Sequence, residues 1–313
     1  MNKIEDIASQ HLGRTSDGGT MTRYETPDDV DSSLLVGIPR YLNRTAYDIS
    51  DEEFTGWDTW NAYEVSFLLD NGYPVSGVVK YVYDCNTPNI VESKSIKLYL
   101  NSFNMAKMGP NVEEATKRAL QIMEKDLTEC IGGEVKAGLH RNSSVASTTP
   151  VLGDYMTVEN LVDVSSIVFD KYNEDPDILE VQDVLKAYVN SGLNVTRFHT
   201  NALRSNCRVT NQPDWGDIYV HIEGDKTITP ESFLQYIVSM RRETHFHEEI
   251  CECVTKRLST LLPECKIAVA CLYTRRGGID INPVRGTEGE AIVDAGFEEL
   301  DMTNVMHCKT ERQ

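Results

Sequence analysis

Apolar residues recur at helical spacing in four segments of this chain and face one way along several shorter runs. In SIKLYLNSF (95–103), Ile96, Leu100 and Phe103 share one face, and in SFLQYIVSM (232–240) so do Phe233, Ile237 and Met240. That spacing predicts two short amphipathic helices. A longer helix is predicted after each. Pro110-Asn111 opens the first, with Asn111 and Glu114 spaced as an N-cap and its partner three residues on. Its stripe is Ala115, Ala119, Met123 and Leu127, and the later helix presents Ile250, Val254, Leu258 and Leu261. Both helices are expected to end at a Glu-Cys pair, 129–130 and 264–265. The runs GVVKYVYD (77–84), DIYVHIEG (217–224) and KIAVACLYT (266–274) read as strands with at least one apolar face.

The two helical pairs resemble each other. The short helices carry Ser, Tyr and Ser at their first, fifth and eighth positions, and with a two-residue shift the match continues through the longer helices. A tandem duplication accounts for this better than chance. The coarse expectation is α+β: two units, each an antiparallel sheet with paired helices on one side. Residues 1–30 form a polar lead-in, with ordered sequence beginning near LLVGIPRYLNR (34–44). The Ser/Thr-rich stretch RNSSVASTTPVLGD (141–154) marks a linker, which places the units at 31–145 and 156–313 with residues 146–155 between them.

Charge and cysteine content narrow the function classes. In 313 residues, 49 acids against 30 lysines and arginines give a net charge of −19. That argues against nucleic-acid binding, which needs a basic face. The N-terminus has no apolar signal core, and no run approaches the roughly 20 apolar residues of a membrane span. Eight cysteines in such a chain read as reduced thiols of a cytoplasmic protein.

The duplicated halves are chemically unequal. VESKS (91–95) precedes the first short helix, whereas His247-Glu248 opens the second long one, and Cys207 and Asp214 occur only in the second half. Such a split suggests a site assembled from both halves. Cys207 in LRSNCRVTNQPDWG (203–216) reads either as a buried structural thiol or as a nucleophile. In the second case Arg204 and Arg208 would raise its thiolate fraction, and Asp214, buried beside Trp215, would serve as the acid. HFHEEICEC (245–253) offers two His, two Cys and three Glu, with His247 and Cys251 on one helix face, but His245 and His247 point in different directions and no second cluster completes a metal site. TRRGG (274–278) follows a strand and suits phosphate recognition as well as it suits a solvated turn. No G-x-G-x-x-G follows a strand, which disfavours a Rossmann domain.

GIPRYLNR (37–44), PNIVESKSIKLYLNSFN (88–104), LRSNCRVTNQPDWG, FHEE (246–249) and YTRRGGIDINP (273–283) together resemble the NADPH-dependent 7-cyano-7-deazaguanine reductases, the QueF-type nitrile reductases, in their longer two-module form. The resemblance implies tandem tunnelling-fold (T-fold) units and a four-electron reduction of a nitrile to an amine, using two NADPH and no metal. It implies Cys207 as nucleophile and Asp214 as proton donor. Val91, Glu92, Ser93, His247 and Glu248 would bind the deazapurine, and Ser93, Lys94, Arg276 and Gly277 would bind NADPH. It also suggests a homodimer. Departures from the family pattern are Arg208 after the nucleophile, Val284 after INP and Phe67 in YEVSFL (63–68). Two rival readings are a metal-dependent T-fold hydrolase of pterins or purines and a catalytically idle ligand-binding protein.

Overall fold

A computed structural model describes residues 27–140, 152, 154–184 and 194–297. The first half contributes strands β1 (Thr55–Leu69) and β2 (Pro74–Asp84), helices α1 (Ser93–Asn101) and α2 (Val112–Ile131), and strand β3 (Val135–His140). The second half contributes β4 (Val195–Thr200), β5 (Arg204–Cys207), β6 (Pro213–Glu223), α3 (Pro230–Ser239), β7 (Thr244–His245), α4 (His247–Leu261), β8 (Lys266–Tyr273) and β9 (Ile279–Gly286).

The stripes read from the sequence are buried as expected, except for Leu261, which is exposed at the end of its helix. Ile96, Leu100 and Phe103 pack with Ala115, Ala119, Met123 and Leu127 in one core; Phe233, Ile237, Ile250, Val254 and Leu258 pack in another. Asn111 caps α2 by accepting a hydrogen bond from the Glu114 N–H at 3.0 Å. Gly132 closes that helix in the left-handed conformation, φ +77°, which costs a residue without Cβ little. The second long helix corrects one expectation. α4 stops at Leu261, short of Glu264-Cys265, because Pro263 disfavours helical backbone at Leu262 and clashes with a continuing turn.

The halves repeat one topology. A central strand, β2 or β6, is flanked antiparallel by β1 and β3 in one half and by β4 and β8 in the other, with the helical pair between the second and third strands. The expectation of a separate sheet in each unit is corrected, since the strands join in one sheet through β9. This strand pairs with β8 on one edge and, from Ile279↔Ala62 to Gly286↔Thr55, with β1 on the other. Ile279 and Ile281 accordingly belong to the first half's core.

Of the expected lead-in, residues 1–26 lie outside the described residues, and Val30 packs on the first core. The expected linker lies mostly outside them too, but Tyr155 is buried against Phe297. No described helix is long and apolar enough to cross a membrane.

A buried ion network reinforces the junction. Arg285, fully buried on β9, reaches Asp58 on β1 at 2.8 Å and Glu252 on α4 at 3.1 Å. Arg40 meets Asp58 at 2.5 Å and Arg44 meets Glu252 at 2.8 Å. Removing one member of such a network leaves buried charge undercompensated, at a cost of about 3 kcal/mol or more. Arg285→Met is therefore expected to lower the urea midpoint by a corresponding amount. Lys171→Met, which opens the solvent-facing pair with Asp175, should leave it within error. Equal midpoints for Arg285→Met and the parent chain would refute this account of the junction.

Candidate active site

The seven-residue spacing of Cys207 and Asp214 is the spacing of a hairpin. β5 pairs antiparallel with β6, setting Ser205 opposite Asp214 and Asn206 opposite Pro213. Cys207 lies two residues beyond Ser205 on the same face, so thiol and carboxyl share that face as diagonal neighbours. The chain reverses tightly: Asn211 takes φ +55° and donates its N–H to the Cys207 carbonyl at 2.8 Å. Asn is among the few side chains that tolerate this left-handed backbone.

Cys207 is 3% exposed. Burial alone would push its thiol up, but hydrogen bonds from the Thr210 side chain and backbone, the Arg276 guanidinium and the Val209 backbone outweigh it and bring the thiol down to about 7. The Lys94 Nζ lies 3.5 Å from the sulfur. The expectation that Arg204 and Arg208 activate the thiol is thus replaced by other donors. Arg204 lies over Trp215 and donates to the Arg241 carbonyl. Arg208 bonds Glu249 at 3.3 Å and covers Phe246, tying the Cys207 loop to the start of α4.

Asp214 is nearly buried, but not against Trp215, which projects to the other face and is exposed. Its carboxylate lies instead between Arg276, at 2.8 Å, and His247, at 3.3 Å. The His247 ring stacks flat on Tyr273, with centroids 3.8 Å apart and 5° between planes. Arg276 arrives on the turn between β8 and β9, where Gly277 and Gly278 both take positive φ. A side chain at Gly278 would collide with Glu64, whose Cδ lies 2.5 Å from the ideal Cβ position. A β-bulge in β1 after Ala62 brings Tyr63 to the same turn: its N–H bonds the Gly278 carbonyl at 2.8 Å and its ring carries the Arg275 guanidinium at 3.7 Å.

A cleft opens on these groups. Val91, Ser93, Cys207, Asp214, His247, Glu248 and Arg276 line it, which gathers most of the residues singled out in the sequence. Glu92, Lys94 and Gly277 lie beside it. Glu92 caps α1, its Oε2 accepting from the Lys94 and Ser95 N–H groups at 2.9 and 2.7 Å. Gly277 faces a smaller hollow shared with Glu64 and Lys97. Trp60, Phe246, Ile279 and Ile281 also line the main cleft and were not anticipated. Phe246 left one legible sign: it occupies the N-cap of α4, where Ser, Thr, Asp or Asn is ordinarily preferred. Of the departures, Phe67 and Val284 are buried core residues outside the cleft lining.

The metal-like run disperses. His245 contacts Tyr47 at 2.8 Å and Glu249 at 3.2 Å, whereas His247 turns to Asp214. Cys251 faces the Val269 and Pro283 carbonyls, and Cys253 faces Tyr236. Among the described residues no group of three such side chains is placed to hold a metal ion.

With this geometry established, comparison with known proteins decides the family. A family model described as the N-terminal part of nitrile reductase, 7-cyano-7-deazaguanine-reductase, matches residues 26–139, and one described as QueF-like protein matches residues 213–291. An NADPH-dependent 7-cyano-7-deazaguanine reductase of Legionella pneumophila (strain Lens) is 36% identical over 294 residues, covering 92% of this chain and 95% of its own length. A protein of the same description from Colwellia psychrerythraea is 36% identical over 277 residues, 87% of this chain and 91% of its own. The chain belongs to this nitrile reductase family. Both family models fall on described segments that line the cleft, the first including Val91 and Ser93 and the second Asp214, Glu248 and Arg276.

Glu248 generates a prediction. It is 2% exposed, and burial, reinforced by the Asp58 charge, pushes its carboxyl up to about 8. A carboxyl raised above its ordinary value of about 4.5 destabilises the fold as pH climbs from that value through 8, because the unfolded chain gives up the proton first. Glu248→Gln removes the penalty. Its melting temperature is expected to exceed that of the parent at pH 9 and to approach it at pH 5. A constant difference across that range would show that Glu248 does not titrate in this window.

Proposed function

We propose that this chain uses NADPH to reduce the nitrile of 7-cyano-7-deazaguanine to the aminomethyl group, with Cys207 as nucleophile. One observation carries the reading: a buried thiol brought down to about 7 sits in a cleft with Asp214, His247 and Glu248. A nitrile carbon is electrophilic, and a thiolate is the form of cysteine that attacks it. The sulfur's electron pair forms the C–S bond of a thioimidate while the nitrile nitrogen takes a proton. Asp214, in its protonated form, is the donor in this scheme. His247, stacked on Tyr273 and bonded to Asp214, holds that carboxyl toward the thiol's face of the hairpin.

The residues present suit a dinucleotide phosphate. Ser93 and Lys94 begin α1, and Arg276 and Gly277 form a turn whose positive-φ glycine admits close approach. Bound there, NADPH supplies hydride. Reduction of a nitrile to an amine takes up four electrons, hence two NADPH in succession. Between the two reductions the thiol leaves and an imine remains, which water would convert to an aldehyde. Trp60, Phe246, Ile279 and Ile281 give the cleft an apolar lining against that loss.

Glu248 and Glu92 would pair with the N–H edge of the base. Glu92 has only Oε1 to offer, since Oε2 caps α1. The ligand-binding arrangement is consistent with tandem T-fold units at 31–145 and 156–313, each supplying one polar set. The repeated strand-strand-helix-helix-strand order supports that division.

Two measurements test the proposal. Mixed with the nitrile and no NADPH, the protein should gain one substrate mass on Cys207, and Cys207→Ala should gain none. Asp214→Asn should form the adduct at least about tenfold more slowly, because an amide cannot deliver the proton. An adduct mapping to another thiol would overturn the assignment. In Cys207→Ala, noncovalent affinity for the nitrile should rise as pH approaches 8, since two N–H donors favour the ionised form of Glu248. Affinity independent of pH from 6 to 8 would remove Glu248 from the base site.

A further inference from the structure

Lys94 and Cys207 belong to different halves, yet the Lys94 ammonium is 3.5 Å from the sulfur. It reaches the thiol from the first turn of α1, and its other acidic neighbour is the Glu92 Oε1 at 3.6 Å. Glu92 is anchored by its capping bonds. The Lys94 side chain, 41% exposed, lies within reach of an incoming ligand. The other charged groups around the sulfur have partners of their own, although Arg276 also hydrogen-bonds the thiol. Arg276 is paired with Asp214, and Asp214 also with His247. His245, which pairs with Cys207 across β5 and β7, is bonded to Tyr47, Glu243 and Glu249.

An ammonium at this distance favours thiolate over thiol. We propose that in the cofactor-free protein Lys94 is a catalytic residue that holds the Cys207 sulfur as its thiolate, and that it turns to a cofactor phosphate once the covalent adduct has removed the sulfur's charge. The first clause concerns the thiol alone; the second rests on the NADPH reading. When the sulfur's electron pair enters the C–S bond and the nitrile nitrogen takes its proton, the sulfur becomes neutral. Lys94 then loses an anion, and its flexible stem can serve a second one. Before that step, thiolate and phosphate compete for a single cation, so each weakens the other's hold on it.

Alkylation by iodoacetamide across pH, followed by intact mass on the protein without nitrile or cofactor, reads the first clause. The parent should reach half its limiting rate near pH 7, the value to which the thiol is brought down. Lys94→Met should move the midpoint upward and slow alkylation at pH 7 by about threefold or more, while Lys94→Arg should restore it. Superimposed profiles for Lys94→Met and the parent would overturn the thiolate role. The second clause is read by NADP+ titration at pH 8. Cys207→Ala should bind several-fold more tightly than the parent, and adding Lys94→Met should abolish the difference. Equal affinity in the parent and Cys207→Ala would overturn the hand-over. Absence of NADP+ binding in every variant would overturn the hand-over together with the NADPH reading, while the alkylation result would still decide the thiolate role.

Discussion

Strand β9 pairs with β1 from Ile279↔Ala62 to Gly286↔Thr55, and everything at the cleft depends on that register. A shift by one residue would turn Ile279 and Ile281 out of the first core and carry Arg285 away from Asp58. The preceding turn would move as well, taking Arg276 from Asp214 and from the thiol. Backbone pairing sets the register, and the buried network of Arg285, Asp58 and Glu252 makes alternatives costly. The proposed catalytic arrangement, drawn from segments as distant in sequence as Ser93 and Arg276, thus inherits its precision from one strand pair.

The two site carboxyls have different surroundings. Asp214 has Arg276 and His247 against it. Glu248, although Arg40 and Arg285 lie near, is governed by burial and by the Asp58 charge, which push it up. Carboxyls placed in contrasting environments can take different roles within one cleft. In the proposed chemistry, one serves proton transfer at the nitrile and the other recognition of the base. Asp58 therefore has two effects: it anchors β9 through Arg285 and it keeps Glu248 from ionising easily.

Local features were legible in the sequence because local rules produce them. The helical stripes and the Asn111 cap follow from short-range periodicity and capping chemistry. The shared sheet was not legible, since β9 was not among the runs read as strands and hydrophobic alternation does not name a strand's partner. Activation of the thiol was misread for a related reason. Arg204 and Arg208 are near in sequence, but Arg204 lies an odd number of strand positions away and so on the opposite face, and Arg208 lies past the strand's end and turns to Glu249. The groups that act on the sulfur are Thr210, on the loop beyond the strand, and Arg276 and Lys94, which only the tertiary fold brings near. Resemblance to a family supplied the roles of distant residues that spacing could not.

The duplicated topology also shows where the chemistry was added. In the first half, residues 70–73 alone connect β1 to β2, an ordinary hairpin reversal. In the second, residues 201–212 connect β4 to β6 and include β5 with Cys207. That longer excursion leaves the flanking strands undisturbed, since β6 pairs with both β4 and β8 from residue 218 onward. Cys207, the proposed nucleophile, is therefore carried on an elaborated connection, while the repeated sheets and helices supply rigid support. Opposite it, the first half offers the start of α1, where Ser93 lines the cleft and Lys94 reaches the sulfur. A loop elaborated in one copy meets a helix terminus presented by the other, and the joined sheet makes their meeting a property of a single chain.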